Sequence, residues 1–184
     1  MNLANKISII RILLIPFFIG SIVYYKNEGS LASYLPLLIF FIAVISDALD
    51  GFIARKFNQK TELGTILDPM ADKLLIITAF ICLAMSKSIP PNLKLPAWLP
   101  IVVISRDIII VLGTVLVHLI KGNVQVAPTL WGKITTFFQM FTILAVLIKF
   151  HYSYMVWNTA GIFTAISGID YIIRGSRTLS ENNG

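Results

Sequence analysis

The chain alternates long apolar runs with short polar breaks. Runs near the twenty residues that a helix needs to cross hydrocarbon are read at 7–25, 31–53, 69–86, 97–120, 130–149 and 153–173. Pro90, Pro91, Pro96 and Pro100 punctuate one break and the entry to the fourth run, and Gly122 with Pro128 marks the next. The pattern predicts an all-α integral membrane protein: a bundle of six transmembrane helices forming a single domain over 1–184. No soluble domain fits between the runs, and no internal repeat is evident.

Composition supports a lipid setting for these runs. Hydrophobic residues make up 57% of the 184 residues and charged residues 13%, against about a quarter charged in soluble domains. With six spans, both termini share a side with the second-to-third and fourth-to-fifth connections. That side holds Lys6, Arg55, Lys56, Lys60, Lys121, Arg174 and Arg177; the opposite side holds Lys26, Lys87, Lys94 and Lys149. The bias puts the termini in the cytoplasm and predicts a multi-pass protein of a bacterial inner (plasma) membrane. The net charge of +6 does not point to nucleic acid, because the bases flank spans and form no basic, aromatic-interleaved surface. An anionic leaflet and anionic substrates account for them better. Cys82 has no partner for an internal disulfide. The first run is interrupted by Arg11 and lacks an Ala-x-Ala-like site, so a removed signal peptide is not expected.

The acidic residues are the exception to this apolar background. Asp47, Asp50, Asp68 and Asp72 bracket the break between the second and third runs. Carboxylates near lipid cost about 2.5–3.5 kcal/mol each on insertion scales, so their clustering marks a functional site. On helices, Asp47 and Asp50 share a face, as do Asp68 and Asp72. A polar connection from Lys56 to Leu67 would let the two helices run antiparallel and bring all four together. Repelling carboxylates at close quarters call for a cation, and oxygen ligands without His or Cys favour two divalent ions, Mg²⁺ or Mn²⁺. Such a pair suits phosphoryl or pyrophosphate chemistry. Gly51 permits close approach of a ligand to backbone, Ala54 leaves room one turn on, Arg55 offers a planar fork for phosphate, Thr61 adds a hydroxyl, and Gly64 frees the return into the third helix. The bland alternative is a solvated loop whose acids balance Arg55, Lys56 and Lys73.

Written as a pattern, these residues read D-x2-D-G-x2-A-R-x8-G-x3-D-x3-D, and the stretch resembles the signature of the CDP-alcohol phosphatidyltransferase family at every fixed position. Chain length, about six spans and a motif bridging the second and third also suit that family. The opening Asn2-Leu-Ala4-Asn5-Lys-Ile-Ser8-Ile-Ile-Arg11 is similar to the family's Asn-x-x-Thr-x-x-Arg, with Ser8 in place of threonine and Ala4 where proline is common. The resemblance implies that Asp47, Asp50 and Asp68 bind metal, and that Asp72 contacts metal and acts as general base. It implies that Gly51, Arg55 and Thr61 contact the CDP moiety. The implied reaction is attack of an alcohol hydroxyl on the lipid-attached phosphorus of a CDP-linked lipid, CDP-diacylglycerol, with release of CMP. It also implies a homodimer.

Arg106 and Asp107 fall inside the fourth run and Lys133 near the start of the fifth. Intramembrane charges usually face a bundle interior, so Arg106 and Lys133 are candidates for binding the phosphate of a small phosphorylated alcohol. The alternatives are an Arg106 bridge to Asp107 or Asp170 and a Lys133 that reaches for the interface. The segment Pro128-Thr-Leu-Trp-Gly132-Lys133-Ile-Thr135-Thr136 is similar to the Gly-Lys-x-x-Thr region of family members whose acceptor is glycerol 3-phosphate, although Thr114 stands where these often carry a second arginine. Together with Arg106-Asp107 it also resembles members that use phosphatidylglycerol. Asn5 and Arg11 have two readings: lining the site entrance near nucleotide or lipid phosphate, or anchoring the first helix. His118 and His151 read as interfacial, and Asp170 with Arg174 as a helix-surface pair. A cation-coupled transporter and a scaffold with a vestigial metal site are the competing classes. The first is disfavoured by aspartates at span ends rather than in broken midplane helices, the second by retention of the whole pattern.

Overall fold

In the computed structural model, which describes residues 3–24, 31–56, 62–87, 89–91, 93–121 and 129–180, six α-helices follow the apolar runs. They are α1 (Leu3–Val23), α2 (Leu35–Lys56), preceded by a single 3-10 turn at Leu31–Tyr34, α3 (Glu62–Met85), α4 (Trp98–Lys121), α5 (Leu130–Leu147) and α6 (Ser153–Ser180). No strand occurs among the described residues. Two stretches, Trp98–Val117 in α4 and Leu130–Leu147 in α5, are long and apolar enough to cross a bilayer, and shorter apolar stretches occupy Ser8–Val23 and Leu35–Asp47.

Two helices reach well beyond their apolar runs. Helix α3 begins at Glu62, so Gly64 lies within a helix rather than in the connection expected from Lys56 to Leu67, and α6 continues to Ser180 past the expected end at 173. Backbone hydrogen bonds do not require apolar side chains. Leu63, Ile66, Leu67 and Met70 also carry a helical repeat forward of the apolar run. Gly64 therefore does not serve as the flexible return of a loop.

Polar side chains share the interior with apolar ones, while many large apolar side chains face outward. On α1 the buried residues include Ser8, Arg11 and Ser21, whereas Ile10, Leu13 and Phe17 are exposed. On α5, Thr135, Gln139 and Thr142 are buried while Phe137 and Phe141 are exposed. On α6, Thr164 and Ser167 are buried while Ile162, Ile169 and Ile172 are exposed. Exposed apolar surface on this scale is what a bilayer or a partner covers, and polar side chains between helices find hydrogen-bond partners that lipid cannot supply.

The chain divides into two compact units, Met1–Leu95 with Ile143–Phe150, and Pro96–Thr142 with His151–Gly184. In the first, α1 packs against both α2 and α3. Phe18 and Phe40 meet at 5.9 Å between ring centroids, and Arg11 meets Asp47, so α1 and α2 run antiparallel. Phe18, Phe40, Leu75, Phe80 and Leu83 form the buried apolar centre.

In the second unit α4 packs along α6. Trp98 lies against Gly161, Arg106 against Gly168 and Tyr171 against Gly113, a series that advances in the same direction on both helices and makes them parallel. Small residues let the helices approach closely. A Cβ on Gly161 would come within 2.7 Å of Trp98 Cη2, whereas one on Gly20 of α1 would meet nothing within 4 Å. Gly161→Val is therefore expected to destabilise by about 1–3 kcal/mol, the usual cost of overpacking. Gly20→Ala is expected to be neutral or mildly stabilising, and thermal unfolding in detergent compares the two. Helices α5 and α6 are joined by polar contacts: Thr135 Oγ1 donates to the Phe163 carbonyl at 2.9 Å, and Gln139 Nε2 donates to Thr164 Oγ1 at 3.1 Å. The Phe138 and Phe163 rings stack at 4.8 Å.

Candidate active site

Helix α1 is apolar on nearly every side, and Arg11 is the one charge in its middle. A buried charge is costly unless paired, and this side chain is fully buried and meets carboxylates on two other helices. Arg11 Nη1 lies 3.0 Å from Asp47 Oδ1 of α2. The same nitrogen donates to Asp72 Oδ1 of α3. The two carboxylates remain 33% and 29% exposed. Three helices thus meet at one guanidinium, and the first and last aspartates of the signature converge there.

The backbone is helical through Asp47 and Asp50 and through Asp68 and Asp72, which sets each pair on one helix face. The side chains of Asp50 and Asp68 lie outside the described residues. So do those of Ala54 and Arg55, which with Gly51 occupy the last turns of α2; Gly64 falls in the first turn of α3. Thr61 and Asn2 lie outside the described residues altogether, as does the side chain of Asn5. Among the described residues no three His, Cys, Asp or Glu side chains gather at one point.

The donors that are described fit a hard divalent cation. Asp47 and Asp72 offer carboxylate oxygens only, both partly open to solvent, and they already share one positive group. Asp47 and Asp72 would supply oxygen ligands to such an ion. Sequence reasoning offered Arg11 as lining the site entrance or as anchoring the first helix, and did not pair it with the aspartates. The available signal was a charge in the middle of an apolar helix, one turn after Ser8, which is itself buried.

The second unit carries the other expected residues. Arg106 is buried on α4. Its Nη1 donates to Asp107 Oδ1 at 2.8 Å, and its Nη2 and Nε donate to Ser167 Oγ of α6 at 2.8 and 3.3 Å. The expected alternative of a bridge to Asp107 is present, while Asp170 pairs instead with Arg174 at 2.9 Å, one turn on along α6. The Arg106 tip faces the start of α5, since a Cβ on Gly132 would come within 3.1 Å of Nη2. Thr129 caps that helix: its Oγ1 accepts from the Gly132 N–H at 3.1 Å and its carbonyl accepts from the Lys133 N–H at 3.3 Å. Lys133 is exposed in this first turn. The Arg106 guanidinium thus sits at the positive end of the α5 dipole, in whose first turn Lys133 lies, a setting that attracts anions. Thr114, at the position where a second arginine was considered, bonds Tyr171 Oη at 2.6 Å. His151 is exposed against the Tyr152 ring; the His118 side chain lies outside the described residues.

Comparison with known proteins agrees with the motif. The CDP-alcohol phosphatidyltransferase family model matches residues 1–167. A Bacillus subtilis protein named CDP-diacylglycerol–glycerol-3-phosphate 3-phosphatidyltransferase is 34% identical, over 99% of this chain and 99% of its own length. A Haemophilus influenzae protein of the same name is 33% identical over 98% of this chain and 97% of its own length. A Mycobacterium tuberculosis protein named probable phosphatidylglycerophosphate synthase is 33% identical over 97% of this chain and 83% of its own length.

Proposed function

This chain belongs to the CDP-alcohol phosphatidyltransferase family, and we propose that it transfers the phosphatidyl group of CDP-diacylglycerol to glycerol 3-phosphate, yielding phosphatidylglycerophosphate and CMP. The observation that carries the reading is the convergence of Asp47 and Asp72 on Arg11 within an otherwise complete signature. The names of full-length relatives support the choice of glycerol 3-phosphate.

In this reading the acceptor hydroxyl oxygen forms a bond to the phosphorus that carries the diacylglycerol, and the bond from that phosphorus to the CMP oxygen breaks. Asp72 takes the hydroxyl proton. Asp47, Asp50, Asp68 and Asp72 would hold two Mg²⁺ or Mn²⁺ ions, which when bound supply positive charge to the pyrophosphate and the departing CMP. Gly51, Ala54, Arg55, Thr61 and Gly64 would receive the CDP group. Arg106 and Lys133 would bind the acceptor phosphate.

The reading extends to one catalytic domain of six spans, a homodimer in the inner membrane with its aspartates toward the cytoplasm. The exposed apolar faces of α1, α2 and α6 support further spans beyond those in α4 and α5, and the Lys/Arg asymmetry supports the orientation.

Purified protein in detergent, given CDP-diacylglycerol and Mn²⁺ or Mg²⁺, is expected to release CMP when glycerol 3-phosphate is added and to stop when a chelator is added. Release with phosphatidylglycerol in its place would reassign the acceptor, and no release with any alcohol would refute the enzyme. Arg106→Ala is expected to raise the KM for glycerol 3-phosphate by about tenfold or more, as loss of a charge-assisted phosphate contact does. The KM for CDP-diacylglycerol should hold. An unchanged acceptor dependence would leave Arg106 a structural bridge to Asp107.

A further inference from the structure

We propose that Ser167 is a positioning residue for the acceptor: its hydroxyl, on α6, fixes the plane of the Arg106 guanidinium and keeps its free edge turned to the first turn of α5. The inference rests on the reading of Arg106 as the ligand of the acceptor phosphate and adds what holds it in place.

A guanidinium has five N–H donors in a rigid fork. Among the described residues three are committed: Nε and Nη2 to Ser167 Oγ at 3.3 and 2.8 Å, and Nη1 to Asp107 Oδ1 at 2.8 Å. One N–H remains on each terminal nitrogen. Arg106 is 8% exposed and Ser167 1% exposed, so neither side chain is oriented by bulk water.

The course of the side chain is set by two glycines. Its stem passes Gly168, where a Cβ would make ordinary contact with Cγ at 3.6 Å, and its tip reaches Gly132, where a Cβ would lie 3.1 Å from Nη2. The uncommitted N–H of Nη2 therefore lies nearest the capped start of α5, where an anion is favoured. A planar fork binds phosphate well only when its plane is fixed.

Asp107 alone would not fix it. Without the Ser167 oxygen, Nη2 and Nε lose their acceptor, and the fork can turn so that the Asp107 carboxylate takes two N–H groups side by side. That bidentate pair would consume the donors left for a phosphate. Ser167 holds one face of the fork and restricts Asp107 to a single nitrogen.

The test is CMP release at saturating CDP-diacylglycerol with glycerol 3-phosphate varied, for the wild type, Ser167→Ala, Arg106→Ala and the double variant. Ser167→Ala is expected to raise the KM for glycerol 3-phosphate about tenfold with kcat within about twofold, the mark of lost ground-state binding. The KM for CDP-diacylglycerol should stay the same, and the double variant should be no worse than Arg106→Ala. An unchanged KM in Ser167→Ala, or an effect that adds in full to that of Arg106→Ala, would overturn the proposal. If Arg106→Ala itself leaves the KM unchanged, the acceptor reading has failed, independently of Ser167. Should Ser167→Ala not fold, Ser167→Cys, which keeps the volume but accepts hydrogen bonds only weakly, is expected to give the same selective rise; a normal KM there overturns the proposal.

Discussion

Asp72→Asn is expected to reduce CMP release by at least about a hundredfold, at the low end of what a lost general base costs, with a melting temperature close to that of the wild type. Asparagine is isosteric and keeps a carbonyl oxygen where Asp72 Oδ1 accepts from Arg11. What it loses is negative charge and basicity. The proton of the acceptor hydroxyl then has no carboxylate to receive it, and one of the four oxygen donors proposed for the divalent ions is weakened at the same time. Turnover and melting, measured on one preparation, separate this from simple misfolding. Near-normal turnover would remove Asp72 from the reaction, and a collapse of the fold would mean that its charge serves structure first.

Arg11→Met is expected to be the most disruptive change in stability and to show an unusual dependence on divalent ions. Breaking a buried ion pair from one side typically costs about 3–5 kcal/mol. The lower end applies here, because Asp47 and Asp72 keep 33% and 29% of their side-chain surface and water can partly compensate them. Methionine restores most of the volume against α2 and α3 but leaves two carboxylates converging without the guanidinium they share, a more repulsive arrangement. Mn²⁺ or Mg²⁺ should therefore raise the melting temperature of Arg11→Met more than that of the wild type. Arg11→Lys should recover part of the loss, because it keeps the charge but not the fork. Equal melting of Arg11→Met and wild type, with and without ions, would contradict the arrangement at its centre.

The spacing of the four aspartates was legible because helical periodicity is local: residues three or four apart share a face whatever the rest of the chain does. Arg11 was legible as a buried charge but not as a partner of Asp72, since the two are 61 residues apart in sequence and no local rule links them. Ser167 was less visible still. Serine, threonine and glycine recur along α6, and only the approach of α4 distinguishes the one hydroxyl that meets Arg106. The ends of α3 and α6 were misjudged for a different reason, because apolarity reports where lipid would be and not where backbone hydrogen bonding stops.

Arg11 also bears on how the molecule is assembled. Helix α1 is synthesised before α2 and α3 and holds a cation near its middle, and a lone helix with such a charge inserts at a penalty of about 2.5–3.5 kcal/mol. Its neutralising carboxylates are made later, one on α2 and one on α3. As a span, α1 would thus be a poor autonomous anchor, and its stable residence in hydrocarbon would be coupled to synthesis of the next two helices. A nascent chain truncated before Asp47 should leave α1 shallow and open to protease, whereas one extended beyond Asp72 should protect it.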